Sequence, residues 1–283
     1  MDRFHVLILA AALALQAASV AAAPFQSLEV ATGEWPPYTS SRSAGYGMAS
    51  EIVTAVLNDM GYQPELVFVP FYLGYDLARR GSVSGTYPYF KTPAREAEMY
   101  YSAPLLEVET VLFYHSGRVD DPAALADLQN LADYRIGRVK GYSYGAELDQ
   151  ALEGAAQFQT ELTAFQMLLA GKVDVVPAAR EVGESLLRRY FADTAGVAIA
   201  PRFSAKESVH FLLSRKQPNA EVFMARFDRS LKRIREEGTY QTLAERHSAG
   251  ALSQRLVRLN GTDSFPLVLG REEPDDEEVY IIP

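Results

Sequence analysis

Strand-like and helix-like segments alternate along this chain, and the alternation constrains the fold more than any other feature. Residues 28–32 are mainly apolar or β-branched and predict a strand, whereas residues 49–60 carry apolar side chains at helical spacing. The same order recurs later, because residues 73–80 and residues 164–170 each predict a helix that stops at a glycine before a short strand. The pattern predicts an α/β protein with two similar α/β lobes rather than one continuous sheet.

The first 23 residues have the parts of a secretory signal peptide. Arg3 supplies a positive start, residues 6–18 form an apolar run, and residues 19–23 are small. The apolar run is too short to span a bilayer, which takes about 20 residues. We therefore expect residues 1–23 to be a cleaved signal peptide and the mature protein to be secreted to the bacterial periplasm.

The composition excludes several classes of function. A net charge of −9 disfavours binding to a polyphosphate backbone, so we expect no nucleic acid partner. The chain has no cysteine, which excludes a disulfide framework, a zinc–thiolate site and a catalytic cysteine. Its four histidines are scattered without the spacing of metal ligands. We expect neither a metal nor any other cofactor.

Loops that follow predicted strands are rich in aromatic and hydrogen-bonding residues. They lie at residues 33–38, 86–90, 141–145 and 177–181. Ligands of α/β proteins bind in the crevice at the carboxyl ends of the strands. Two of these loops belong to each predicted lobe, so a ligand that touches all of them bridges the lobes and favours their closure.

Single residues in and near these loops suggest how a ligand is held. Trp35, the only tryptophan, is interpreted as a stacking wall, with core packing as the alternative. Tyr87 and Tyr89 lie at a strand end, and of the two we take Tyr89 to face the cleft. Arg95 offers a planar fork to a carboxylate, with an ordinary surface position as the alternative.

Short segments along the chain carry a resemblance to a known family. They are Gly-Glu-Trp-Pro-Pro-Tyr at 33–38, Thr-Pro-Ala-Arg at 92–95, Tyr-Ser-Ala-Pro-Leu at 101–105, Leu-Ala-Asp-Leu at 125–128, Gly-Lys-Val-Asp at 171–174 and Glu-Gly-Thr-Tyr at 237–240. Each segment is weak evidence alone. In this order and spacing, residues 27–247 resemble the amino-acid type, family 3, of the periplasmic solute-binding proteins that feed ABC importers.

The resemblance implies a bilobed, periplasmic-binding-protein-like class II fold. Two α/β lobes are then joined by two hinge strands, here near His115 and Val209. The expected divisions are lobe 1 at 24–114 and 210–260, lobe 2 at 115–209, and a C-terminal tail at 261–283.

The resemblance also implies a function and a site. Arg95 would grip a ligand carboxylate with help from the backbone at Ser143, which we expect to open a helix over residues 144–152. The partners would be a small carboxylate-bearing molecule, an amino acid or related organic acid, and an ABC transporter permease in the membrane. We expect the protein to act as a monomer and to perform no chemistry on its ligand.

One departure from the family concerns the ligand's ammonium group. In relatives an acidic residue after the second-lobe strand usually receives this group, but here the position falls on Ala179. The acidic residue that usually opens the first-lobe helix likewise falls near Ser50. Glu181 or Glu34 would have to substitute; otherwise the ligand is a different organic acid or an amide. The candidate ligand-binding residues are Glu34, Trp35, Tyr89, Arg95, Tyr142, Ser143 and Glu181.

Other functions stay open. Gly-Tyr-Ser-Tyr-Gly at 141–145 satisfies the nucleophile-elbow pattern of serine hydrolases, with Ser143 as the nucleophile. The partners of that serine would be Asp174 or Asp193 and His210 or His247. A dehydratase-like enzyme on the same fold would need a buried glutamate with a raised pKa, for which Glu34 or Glu181 is a candidate. A soluble accessory or sensor protein would use the same cleft to report its ligand.

Overall fold

The structure, a computed structural model, describes residues 26–247. The predicted signal peptide at 1–23 and the predicted C-terminal tail at 261–283 lie outside the described residues, as does the end of the predicted lobe 1 at 248–260. Within residues 26–247 no helix is both long enough and apolar enough to cross a membrane.

Strands and helices alternate as the sequence predicts, which confirms the α/β class. The strands are β1 (Gln26–Thr32), β2 (Tyr62–Phe68), β3 (Gly85–Phe90), β4 (Met99–Tyr101), β5 (Leu106–His115), β6 (Gly137–Val139), β7 (Ala156–Phe158), β8 (Val175–Ala179), β9 (Val197–Ile199) and β10 (Ala205–Ser214). The helices are α1 (Met48–Asp59), α2 (Phe71–Arg80), α3 (Pro93–Glu96), α4 (Ala146–Ala151), α5 (Glu161–Leu169), α6 (Arg180–Tyr190) and α7 (Ala220–Glu236). Short 3-10 turns lie at Ala44–Tyr46, Ala124–Ala126 and Leu128–Asp133.

Local sequence explains where these helices begin, end and pack. In α1 the buried Ile52, Val53, Val56 and Leu57 recur at helical spacing, so one face packs into the core. Helix α2 ends at Gly81, whose φ of 80° is in the left-handed region that glycine adopts most readily.

The larger sheet has the strand order β2-β1-β3-β10-β5-β8. Strand β1 is parallel to both β2 and β3, whereas β10 and β5 run antiparallel to their neighbours. Strand β4 pairs with β10, and β9 pairs with β5. Strands β6 and β7 form a separate parallel pair. The carboxyl ends of β1 and β6 lead into the selected loops at 33–38 and 141–145. The prediction of loops at 86–90 and 177–181 is wrong, because residues 86–90 lie within β3 and residues 177–181 join the end of β8 directly to the start of α6.

Two long strands belong to both predicted lobes. The first half of β10, Ala205 to Val209, pairs with β5 between Leu106 and Thr110. Beyond these residues β10 pairs with β3 and β4 of the predicted lobe 1, and β5 pairs with β8 and β9 of the predicted lobe 2. The partner exchange in β10 falls at Val209, and that in β5 falls at Thr110, a few residues before His115.

The expectation of two separate sheets needs a correction at this point. The ladder is continuous from β2 to β8, because the two strands that pass between the predicted lobes are hydrogen-bonded to each other. The repeated strand and helix order correctly indicates two similar halves, but it contains no information about the strands that the halves share. The lobe boundaries stay a prediction.

Candidate functional site

A small cavity lies where the loops after β1 and β6 meet the carboxyl end of β3. Its volume is about 40 Å³, and we call it the Arg95 cavity. Its lining residues are Trp35, Phe71, Pro88, Tyr89, Phe90, Arg95, Gly141, Tyr142, Ser143 and Val209. The structure thus brings together five of the candidate residues, namely Trp35, Tyr89, Arg95, Tyr142 and Ser143.

Arg95 is held at this cavity by a short, well-capped helix. The Oγ1 of Thr92 accepts a hydrogen bond from the backbone N–H of Arg95 at 3.2 Å, and Pro93 occupies the first turn of α3. The guanidinium donates from Nη1 to the carbonyl oxygen of Phe90 at 3.1 Å and from Nη2 to that of Gly141 at 3.0 Å. The second bond crosses from the predicted lobe 1 to the predicted lobe 2.

Aromatic rings form most of the cavity wall. Trp35 makes edge-on contacts with Phe71 and Phe90, with ring centroids 6.4 and 6.3 Å apart. Phe71 in turn contacts Tyr89 and Tyr142 edge-on, both with centroids 5.7 Å apart. These edge-to-face pairs are favourable beyond their buried area, so the wall is held by its own packing. Trp35 is buried in the core and also lines the cavity, so its role as a stacking wall for a ligand stays a prediction.

The position of Phe71 depends on a glycine that precedes Trp35 in the same loop. A side chain at Gly33 would place its Cβ 2.7 Å from the Phe71 ring, closer than such atoms approach. Phe71 was not among the candidate residues. The sequence offers only a weak signal for it, since it follows Pro70 at the start of α2 and nothing local marks its ring as facing the site.

Trp35 also forms a buried hydrogen bond to the predicted lobe 2. Its indole Nε1 donates to Oε1 of Glu161 at 3.1 Å. Glu161 is the first residue of α5, after the capping residue Thr160, and it is buried. Burial raises the pKa of the Glu161 carboxyl from 4.5 to about 8, against a smaller lowering effect of the Trp35 bond. Glu161 was also missed, because an acidic residue in the first turn of a helix is usually solvated.

A second buried bond between the predicted lobes involves Tyr38 and Glu181. The Tyr38 hydroxyl donates to Oε2 of Glu181 at 2.8 Å. Burial, and after it the charge of Glu181, raises the pKa of the Tyr38 hydroxyl well above its ordinary value. Neighbouring Arg180 donates to Glu109, and this hydrogen bond lowers the pKa of the Glu109 carboxyl. Glu181 therefore binds a tyrosine of the opposite predicted lobe and does not line the Arg95 cavity.

Glu34 also lies outside the cavity lining. Its Oε1 accepts a hydrogen bond from the backbone N–H of Ser41 at 2.8 Å, and the side chain is exposed. It borders a wider groove together with Glu161. Neighbouring side chains of an extended segment point in opposite directions, so the burial of Trp35 directs Glu34 away from the cavity.

Ser143 reaches the cavity without opening a helix, which corrects one expectation. Helix α4 begins only at Ala146. Gly145 has a φ of 95°, which is not a helical backbone angle, so the helix does not extend back to Ser143. The Ser143 hydroxyl donates to Oδ2 of Asp149 at 2.5 Å. Of the proposed hydrolase partners, Asp174 forms an ion pair with an arginine, and His210 contacts the carbonyl oxygen of a serine. Ser143 thus contacts Asp149, which was not among the proposed hydrolase partners.

Within the described part of the chain, no group of three acidic or histidine side chains is arranged to hold a metal ion. The site consists of one guanidinium, a set of aromatic rings and backbone carbonyl groups. Such a set can bind an anion and an apolar surface.

Comparisons with known proteins identify the family and the fold. The profile of the bacterial extracellular solute-binding proteins, family 3, matches residues 28–250. No curated protein sequence matches the chain. Among solved structures, a histidine kinase sensor domain with similarity to periplasmic binding proteins superimposes with a TM-score of 0.69 at 18% identity, covering 79% of this chain and 96% of that one.

Two binding proteins are similar to a comparable extent. An amino acid ABC transporter substrate-binding protein from Streptococcus pneumoniae, bound to L-arginine, has a TM-score of 0.64 at 18% identity, covering 78% of this chain and 94% of that one. An ancestral amino acid-binding protein, described as a precursor of cyclohexadienyl dehydratase, has the same TM-score, identity and coverage. At this identity the similarity concerns the fold, and it confirms the periplasmic-binding-protein-like α/β fold.

Proposed function

Because the chain belongs to the bacterial extracellular solute-binding proteins, family 3, we propose that it captures a small carboxylate-bearing solute and delivers it to an ABC importer. Secretion to the periplasm is part of this proposal, in keeping with the extracellular family and with the predicted signal peptide. The partner of the loaded protein is then a permease in the membrane.

The observation that carries the proposal is the position of the Arg95 guanidinium in the cavity. A guanidinium has five N–H groups, and the contacts with Phe90 and Gly141 use two of them among the described residues. The remaining N–H groups can bind a carboxylate in the bidentate manner that arginine favours. The Tyr89 ring, 5.2 Å from the guanidinium carbon, holds the group in place by a cation–π contact.

Closure follows from contacts that exist only when the predicted lobes meet. Arg95 reaches Gly141, Trp35 reaches Glu161, and the Tyr38 hydroxyl reaches a carboxylate of α6. A ligand held between Arg95 and the loop at 141–145 contacts both predicted lobes only when they are closed on each other. Such a ligand shifts the population towards closure, and the permease can then distinguish the loaded protein from the empty one.

Fluorescence titration tests the proposal, because the only tryptophan lies in the cavity wall. Small carboxylates, amino acids and amides are titrated into the purified protein, and emission is followed. We expect at least one carboxylate to change the emission saturably. Arg95→Gln should weaken its binding about 30-fold, or about 2 kcal/mol, because a charge-assisted fork is lost.

The matched control is Arg80→Gln, since the Arg80 side chain is 65% exposed and pairs with Asp76 on the same predicted lobe. This variant should bind as the natural protein does. Equal affinity of the Arg95 variant and the natural protein would contradict the anchor, and failure of every carboxylate to bind would contradict the proposed function.

A second candidate function, an enzyme on the same fold, is favoured by Glu161. Its pKa of about 8 keeps the carboxyl protonated near neutral pH, as a general acid requires. An ancestral protein of similar fold is described as the precursor of a dehydratase. Mass spectrometry of the ligand after incubation separates the candidates: an intact ligand favours capture, whereas conversion that is lost in Glu161→Gln favours the enzyme.

A further inference from the structure

We propose that the ligand of the Arg95 cavity is a small carboxylate with an apolar body and with no ammonium group. This ligand class rests on the proposed function, because it concerns the same cavity. The cavity volume of about 40 Å³ restricts the ligand to a small molecule.

The charge of the cavity wall is the first argument. Arg95 is the charged residue among the described residues that line the cavity, and the others are aromatic rings, a proline, a glycine, a serine and a valine. An anion entering this wall meets a positive charge. An ammonium group would meet a charge of its own sign and no counter-charge in the lining, which makes its desolvation unfavourable.

The carboxylates around the cavity are already engaged, which is the second argument. Glu161 accepts the indole N–H of Trp35, and Glu181 accepts the hydroxyl of Tyr38. Asp149 is ion-paired with an arginine and also accepts the hydroxyl of a lining serine. An ammonium group that recruited any of them would share the carboxyl group with these protein donors.

The hydrogen-bonding groups of the wall are the third argument. The Trp35 indole, the Tyr89 hydroxyl and the Ser143 hydroxyl all donate to protein acceptors. Among the described contacts, the polar side-chain groups left for a ligand are the remaining N–H groups of Arg95 and the Tyr142 hydroxyl. A polar ligand body would lose its bonds to water without replacement, whereas an apolar body gains ring contacts.

The competing acceptor for an ammonium group is Glu207. It lies on β10 two residues before Val209, so the two side chains share one strand face. Its carboxylate is packed so closely on Gly145 that a side chain at that position would overlap it. Burial, and after it the charge of Asp149, raises the pKa of the Glu207 carboxyl.

Calorimetric titration with matched pairs tests the ligand class. Each pair contains an amino acid and the same skeleton without the ammonium group: L-phenylalanine with 3-phenylpropanoate, L-tyrosine with 3-(4-hydroxyphenyl)propanoate, L-tryptophan with indole-3-propanoate, and L-leucine with 4-methylpentanoate. We expect the deaminated member of the best-binding pair to bind at least tenfold more tightly than its amino acid. The amide 3-phenylpropanamide should bind more weakly than 3-phenylpropanoate.

The outcomes separate this inference from the proposed function. If amino acids bind as tightly as their deaminated partners or more tightly, the proposed function stands and this inference is overturned. Loss of amino acid binding in Glu207→Gln, with retained binding of the deaminated acids, would then assign the ammonium to Glu207. If no member of any pair binds, and no other small carboxylate does, the proposed function fails and the inference fails with it.

Discussion

Glu161→Gln isolates the effect of one proton on the stability of the folded protein. The carboxyl is the first side chain of α5, it is buried, and it accepts the indole N–H of Trp35 at 3.1 Å. A glutamine has the same shape and keeps an acceptor oxygen for the indole. It cannot ionise. The variant therefore retains the packing and the hydrogen bond, and it removes only the titration.

The magnitude follows from the pKa of Glu161, which is raised from 4.5 to about 8. Between these two pH values the folded protein holds a proton that the unfolded chain has released. Stability from this group is therefore fully present below about pH 4.5 and is lost as the pH rises through about 8. Within the window, the free energy of unfolding should fall by about 1.4 kcal/mol per pH unit through this group alone.

Urea unfolding from about pH 5 to about pH 8, followed by tryptophan fluorescence, measures this slope. The quantity to compare is the difference in unfolding free energy between Glu161→Gln and the natural protein, because other titrating groups largely cancel in it. We expect the difference to be within about 1 kcal/mol at the acid end and to favour the variant increasingly as the pH rises.

The control is Glu147→Gln, which removes an exposed carboxylate from the first turn of α4 in the same predicted lobe. Its effect should stay within about 0.5 kcal/mol across the pH range. Parallel pH profiles of Glu161→Gln and the natural protein would refute the reasoning, because a buried carboxyl that ionises only near pH 8 must produce diverging profiles.

Two further substitutions test other contacts of the fold. Tyr38→Phe removes the hydroxyl that donates to Glu181 at 2.8 Å, and urea unfolding should show a loss of about 1–2 kcal/mol; a change below about 0.3 kcal/mol would mean that the bond between the predicted lobes adds no stability. Phe227→Ala empties a fully buried site where the ring stacks on Phe211 at 4.6 Å, and thermal or urea unfolding should show a loss of about 3–5 kcal/mol; an unchanged midpoint would contradict this packing.

Much of the fold could be predicted because its signals are local. Alternating strand and helix patterns predict the α/β class, and a helix that stops at glycine before a strand marks each half. Arg95 could be selected because it follows a predicted strand and belongs to the Thr-Pro-Ala-Arg segment at 92–95 that carries the family resemblance. The shared strands could not be deduced, since nothing within β5 shows that its two ends pair with different partners.

The candidate site was predictable in part for the same reason. Loops after strands could be placed at one edge of a sheet, so residues such as Trp35 and Tyr142 were expected to meet. Which side chain of a loop faces the cavity depends on its contacts, and Glu34 lies on the other side of its loop from Trp35. Phe71 was overlooked because its ring contacts residues of three different loops.

The amino-acid sequence by itself determined the alternation of strands and helices, the glycines that stop helices, and the cap that presents Arg95. These features depend on residues a few positions apart, whose preferences act on the local backbone. Tertiary structure alone decided that Trp35 donates to Glu161 and that Tyr38 engages Glu181, because these partners lie 126 and 143 residues apart. Only packing across the cavity removes water from such pairs, and that loss of water raises the pKa of Glu161.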